Sequence, residues 1–160
     1  MTDEQVLIAE HVIAMLRESA EAARPLETGG ILVGVLRDDE EPWITGAVEV
    51  IDNWRTSVRF VIPYGATPLA VEAARTQDGR VGFLGLWHSH PANVAASPTD
   101  KATLRKEALR RSRPKKVPAV MIVVRDGEDG WCLDVLRDRG AGPAPADLVL
   151  TGPLSPEEFG

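Results

Sequence analysis

Two imidazoles and a carboxylate fall close together in this sequence. His88 and His90 flank a single serine in Trp87-His88-Ser89-His90-Pro91, and Asp100 follows ten residues after His90. On a β-strand, residues i and i+2 face the same side, so both imidazoles can converge on one point, and Pro91 ends the strand there. Two nitrogens and one carboxylate oxygen make a three-ligand set that leaves a fourth tetrahedral position for water. That is the arrangement of catalytic rather than structural zinc. The same donors admit other first-row divalent ions, so the set favours zinc without requiring it.

Such a centre needs a base to take a proton from the attacking water and hand it to the leaving amine. Glu27 is the candidate, placed just before an apolar run in Leu26-Glu27-Thr28-Gly29-Gly30-Ile31. Read locally, it is more readily a surface acid at the start of a strand. Ser97-Pro98-Thr99-Asp100 is a helix start in its own right, with serine at N-cap, proline at N1 and an acid at N3. Both readings of that tetrapeptide hold together, because a capped helix end is a rigid platform from which Asp100 can reach a metal. His11, alone on the first predicted helix, reads as an ordinary polar residue.

The elements that must position these groups follow from hydrophobic periodicity. Residues 4–23 predict an amphipathic helix: Ile8, Val12, Leu16 and Ala20 recur at i+4, and Ala9, Ile13 and Ala23 widen the face. Thr2 or Asp3 would cap it and Pro25 would stop it. Apolar, β-branched runs at Gly30–Leu36, Trp43–Ile51 and Val58–Ile62 predict three strands, divided by turns at Asp38–Pro42 and Asp52–Ser57. Residues 67–76 predict a short helix with Pro68 in its first turn. Val81–His90 is apolar on both faces, the pattern of a central strand. A third helix opens at Ser97 and ends near Arg113-Pro114, and Val117–Arg125 with Trp131–Arg137 predict a hairpin around Asp126–Gly130. The order α-βββ-α-β-α-ββ predicts an α/β fold: one domain over residues 1–140, with a mixed β-sheet flanked by helices. Residues 141–160, rich in Pro, Gly and Ala, predict a flexible or loosely docked tail.

A length of 160 residues, 44% hydrophobic and 26% charged, suits one folded domain. No stretch approaches the ~20 apolar residues that span a bilayer, and MTDEQVLIAE lacks the layout of a secretory signal. The one cysteine, Cys132, excludes an internal disulfide and a multi-cysteine metal site. The reading is a cytoplasmic protein with no membrane partner. A net charge of −6 argues against general nucleic-acid affinity. The third helix is nonetheless basic, through Lys101, Arg105, Lys106 and the cations beyond them to Lys116. It reads first as a solvated face with cations toward the C-terminal end. The alternative is a docking surface for an acidic or mixed-charge partner.

Taken together, Glu27, His88-Ser89-His90-Pro91 and Ser97-Pro98-Thr99-Asp100 resemble the JAMM signature of the MPN/JAB metalloprotease family: an upstream Glu, H-[ST]-H-P and S-x-x-D. The GGILVG and LGLWHSHP segments look like its prokaryotic JAB branch, and the resemblance runs from about Glu27 to Val124. It implies the MPN/JAB (cytidine-deaminase-like) architecture, with His88, His90 and Asp100 as ligands of a Zn2+ ion. It further implies Glu27 as general base and Ser97 as the group that hydrogen-bonds the oxyanion of the tetrahedral intermediate. Family members cut isopeptide or peptide bonds after the C-terminal glycine of ubiquitin or a ubiquitin-like protein. The implied substrate is therefore a ubiquitin-like protein or its conjugate, and the implied partners are activating-like and conjugating-like enzymes of the same pathway. Alternatives are a hydrolase acting on a sulphur-carrier-protein adduct and a non-catalytic MPN scaffold, which usually lacks one or more of the five residues present here. The connection from His90 to Ser97 is one residue shorter than the family's usual spacing, the deletion falling in Ala92–Ala96. Cytidine-deaminase chemistry itself is excluded, since its P-C-x-x-C motif needs two cysteines.

Overall fold

The apolar runs pair into one mixed sheet with helices on both faces. The computed structural model describes residues 4–37, 41–63, 65–111 and 118–155. Its elements, in chain order, are β1 (Gln5–Ala9), α1 (Glu10–Ala23), β2 (Gly29–Leu36), β3 (Pro42–Val50), α2 (Ala66–Gln77), β4 (Gly82–His90), α3 (Pro98–Arg111), β5 (Ala119–Gly127), β6 (Gly130–Asp138), β7 (Ala144–Pro145) and β8 (Asp147–Thr151). The eight strands lie in the order β7-β6-β5-β4-β2-β3-β1-β8. Strand β4, central as its two-sided apolarity requires, runs antiparallel to β2 and parallel to β5. The chain is a single-domain, mixed α/β fold.

Alternation along the strands divides the core between the two faces. On β5, Val120, Ile122 and Val124 pack with Val12, Leu16 and Ala20 of α1, whereas Ala119, Met121 and Val123 pack with Leu104 and Ala108 of α3. Helix α2 shares that second face, setting Ala70 against Ile31, Val33 and Val81. Leu86, two residues before His88, packs on the α2/α3 side. The histidines of β4 therefore emerge on that side.

Three expectations need correction. The helix expected over residues 4–23 begins only at Glu10, and Gln5–Ala9 is a strand running parallel to both β3 and β8. Val6, Leu7, Ile8 and Ala9 are buried in succession, which a strand covered on both faces satisfies and an amphipathic helix does not. The remainder of the predicted face, Val12, Leu16, Ala20 and Ala23, is the buried face of α1. Val58–Ile62 forms no strand, and its backbone makes only one isolated bridge nearby, Thr56 to Arg59. The buried carboxylate of Asp52 organises this segment instead, its two oxygens accepting from the amides of Trp54 and Val61. Finally, the segment from residue 141 on supplies β7 and β8, the two borders of the sheet, so it is docked by backbone pairing through Thr151. Its Leu148 packs against the α1 core and its Leu154 against the α2 side. The expected Thr2 or Asp3 cap, the helix end at Arg113-Pro114 and the last five residues fall outside the described residues. Among the described residues, no helix is long and apolar enough to cross a membrane.

Candidate metal centre

His88 and His90 occupy the last turns of the β4 pleat, both buried, with their rings on one side and Ser89 on the other. Their Nε2 atoms stand 3.1 Å apart. Asp100 completes a triangle, with Oδ1 3.1 Å from His88 Nε2 and Oδ2 3.5 Å from His90 Nε2. Ligand atoms about 2.0–2.1 Å from a tetrahedral ion lie ~3.3 Å from one another. These separations are of that size, and one ligand atom from each residue lies within 4.8 Å of the others, so the three residues can hold a divalent cation. The His90 ring is oriented through its other nitrogen, Nδ1, which donates to the Val94 carbonyl at 2.6 Å and so turns Nε2 toward the other two groups. The short His90–Ser97 connection closes through a three-residue turn in which the Val94 amide donates to Ala92 O at 2.8 Å.

Asp100 is delivered by the start of α3. Its amide donates to Ser97 Oγ at 3.1 Å and its Oδ2 accepts from the Ser97 amide at 2.8 Å, the reciprocal bonds of a capping box. The helix-start reading and the ligand reading of this tetrapeptide are thus both satisfied by one geometry. Burial works to raise the Asp100 carboxyl, but hydrogen bonds from His88 and His90 outweigh it and hold the group well below the usual carboxylate range. Burial likewise works to lower His90, and the bonds to Asp100 and Val94 outweigh it, so that imidazole is raised. Ser97→Ala should cost about 1 kcal/mol of stability through the lost cap. If its hydroxyl also serves the reaction, turnover should fall up to roughly 10²–10³-fold. A melting shift with full turnover would leave Ser97 a cap only.

Glu27 arrives from the turn between α1 and β2 and is 6% exposed, which removes the surface-acid reading. Three bonds fix its segment: the Glu27 amide donates to Thr56 O at 2.8 Å, the Thr28 amide donates to the Ser89 hydroxyl Oγ at 2.9 Å, and the Ser89 amide donates to Thr28 O at 2.7 Å. Ser89 was not singled out by the sequence reading. Strand alternation is the signal for it, because the residue between two inward histidines must face away from them. Gly29 pairs directly with His88, and a Cβ there would strike the Trp87 carbonyl and come within 2.6 Å of the Phe60 ring. The Glu27 carboxyl is raised by burial first. His88 and His90 partly offset this, and Asp100 pushes the same way as burial.

A cavity of about 540 Å³ opens beside these groups, floored by Leu86 and Met121 and walled by Thr103 of α3 and by Phe60–Pro63. It continues between α2 and α3 toward Val71 and Phe83, past Glu107 and Arg110. Trp54 and Val58, 85% and 83% exposed, belong to the segment that supplies the Phe60–Pro63 wall. The basic face of α3 is less available than its composition suggests. Arg105 pairs with the fully buried Asp138 at 3.4 Å, and Arg110 pairs with Glu107 at 3.2 Å, while Lys101 and Lys106 are exposed.

A family model described as prokaryotic homologues of the JAB domain matches residues 9–135, a span that contains every residue of this centre. No curated protein matches the chain. Among solved structures, the solution structure of protein DSY2949 from Desulfitobacterium hafniense is similar, with a TM-score of 0.68 over 93% of this chain and 94% of that one. The two sequences are 16% identical, so the likeness is one of fold alone.

Proposed function

We propose that this chain, which belongs to the family of prokaryotic homologues of the JAB domain, is a zinc-dependent isopeptidase or peptidase that cleaves after the C-terminal glycine of a ubiquitin-like protein or its conjugate. The observation that carries this reading is the convergence of His88 Nε2 and His90 Nε2, 3.1 Å apart, on the Asp100 carboxylate, whose Oδ1 lies 3.1 Å from the first and Oδ2 3.5 Å from the second. A zinc ion held there would act as a Lewis acid, polarising the scissile carbonyl and making a water molecule more acidic. Glu27, buried and with its carboxyl raised, takes the proton of the attacking water and passes it to the leaving amine. Ser97 Oγ accepts from the Asp100 amide and so keeps its own proton for the oxyanion that develops on the substrate. The cavity under the Phe60–Pro63 wall receives the extended tail, and Trp54 and Val58, exposed on the segment that leads to that wall, are available to meet the globular part of the substrate.

The same proposal places the protein in the cytoplasm beside the activating-like and conjugating-like enzymes that would make its substrate. The test is cleavage of ubiquitin-like proteins whose C-terminal glycine is extended by a fluorophore or a fused peptide. Turnover should stop with a chelator and return with added zinc. Zinc-loaded protein that cleaves no glycine-ended conjugate would remove the peptidase reading and favour a binding scaffold.

A further inference from the structure

We propose that Arg125 is a positioning residue for His90: it holds the loop whose carbonyl fixes that imidazole. Arg125 lies on β5 directly beside His90 in the parallel pairing of β4 with β5. Its guanidinium reaches two ways. Nε donates to Asp134 Oδ2 on β6 at 2.7 Å, and Nη1 donates to Asn93 Oδ1 at 2.5 Å. Asn93 is the middle residue of the turn closed by the Val94 amide and the Ala92 carbonyl. The next carbonyl along, that of Val94, accepts from His90 Nδ1. A continuous path therefore runs from the sheet, through Asp134, Arg125 and Asn93, to the proton on His90.

The loop needs such an anchor. Residues 92–95 are all exposed, so apolar packing does not set where the Val94 carbonyl points. Asn93 is held by a charged donor that is itself fixed by an ion pair to a neighbouring strand, which is a stiffer tether than solvent can give. The planar fork of arginine makes both bonds at once, and lysine at the same position has no equivalent geometry. The consequence is one of aim. With the Val94 carbonyl in place, the His90 ring is held so that Nε2 faces His88 and Asp100. With the carbonyl free to move, the ring loses that aim.

The inference rests on the metal-site reading of His88, His90 and Asp100, and the experiment separates the two. Zinc affinity is measured by chelator competition for the wild type, Asn93→Ala, Arg125→Met and the double variant. The bond from His90 Nδ1–H to the Val94 carbonyl is read from the exchange of that proton with solvent in ¹H–¹⁵N spectra of the metal-free proteins. The wild type should exchange it slowly and the variants faster. Each single variant should bind zinc roughly 10-fold more weakly, and the double variant no more weakly than the worse single. Asn93 is exposed, so Asn93→Ala reports even if Arg125→Met fails to fold. Zinc affinity within about twofold of wild type in Asn93→Ala, or unchanged exchange of the His90 Nδ1 proton, overturns the role assigned to Arg125. A wild type that binds no zinc sinks the metal reading instead, and the exchange of the His90 Nδ1 proton alone then decides the case for Arg125.

Discussion

Glu27→Gln protein should bind about one zinc per chain, as the wild type should, and turn over on the order of 10²–10⁴-fold more slowly. Glutamine keeps the size and the hydrogen-bonding edge of the side chain but cannot accept a proton. None of the three ligand atoms is disturbed, because the segment is held by backbone bonds to Thr56 and Ser89 rather than by the carboxylate. A second readout comes from stability. The folded carboxyl is raised above its ordinary value of 4.5, so folding favours the protonated form. Its contribution is fully present below the unfolded value and is lost as pH rises through the folded one. As pH rises above the ordinary carboxylate value, the metal-free wild type therefore loses stability that Glu27→Gln, with nothing to ionise, keeps. The metal-free variant should melt at or above the wild type at pH 7, with the gap closing toward pH 4. Normal turnover in Glu27→Gln would show that another group is the base.

The ligands should behave differently from the base. His88→Ala or Asp100→Ala should bring zinc content from about one per chain to near zero and abolish turnover, because three ligands leave no spare. Asp100 has a second duty in the capping box, so Asp100→Asn is the cleaner variant. Asparagine can still accept from the Ser97 amide while withdrawing the charge that the ion needs. Zinc content and turnover should fall with little change in melting temperature. Elemental analysis that finds full zinc in these variants would defeat the His88–His90–Asp100 assignment. Loss of zinc together with gross unfolding in Asp100→Asn would mark the aspartate as a structural residue.

Why some of this could be read in advance is a matter of range. The two histidines were legible because strand alternation is a local rule, and β4 obeys it as far as Pro91. Asp100 was legible because a helix start announces itself within four residues. Glu27 was visible only through the whole constellation. Its burial comes from Gly29 pairing with His88 and from the bond to Thr56, contacts far along the chain that no local pattern encodes. The same cause explains the misread first helix. Ile8 and Ala9 continue the apolar period of α1, and what makes them strand is β3 on one side and β8 on the other. The absence of a strand at Val58–Ile62 follows from Asp52, whose carboxylate gathers the backbone amides that a sheet would have used.

The place of β1 between β3 and β8 bears on how the molecule is assembled. Strands β2 to β6 can associate through neighbours that are mostly close in sequence or joined by one crossover, and this includes both histidines and the turn bearing Glu27. The pairing of β1 with β8 joins segments separated by almost the whole chain. Closing so long a loop is entropically costly and is repaid only once both partners are in place. As the protein is synthesised, Val6 to Ala9 can be covered by β3 early, but their other flank waits for β8 to leave the ribosome. The metal-binding half of the sheet is thus able to form before its far border is sealed, and the unsealed β1 edge is the point at which a nascent or partly unfolded copy is most exposed to pairing with another chain.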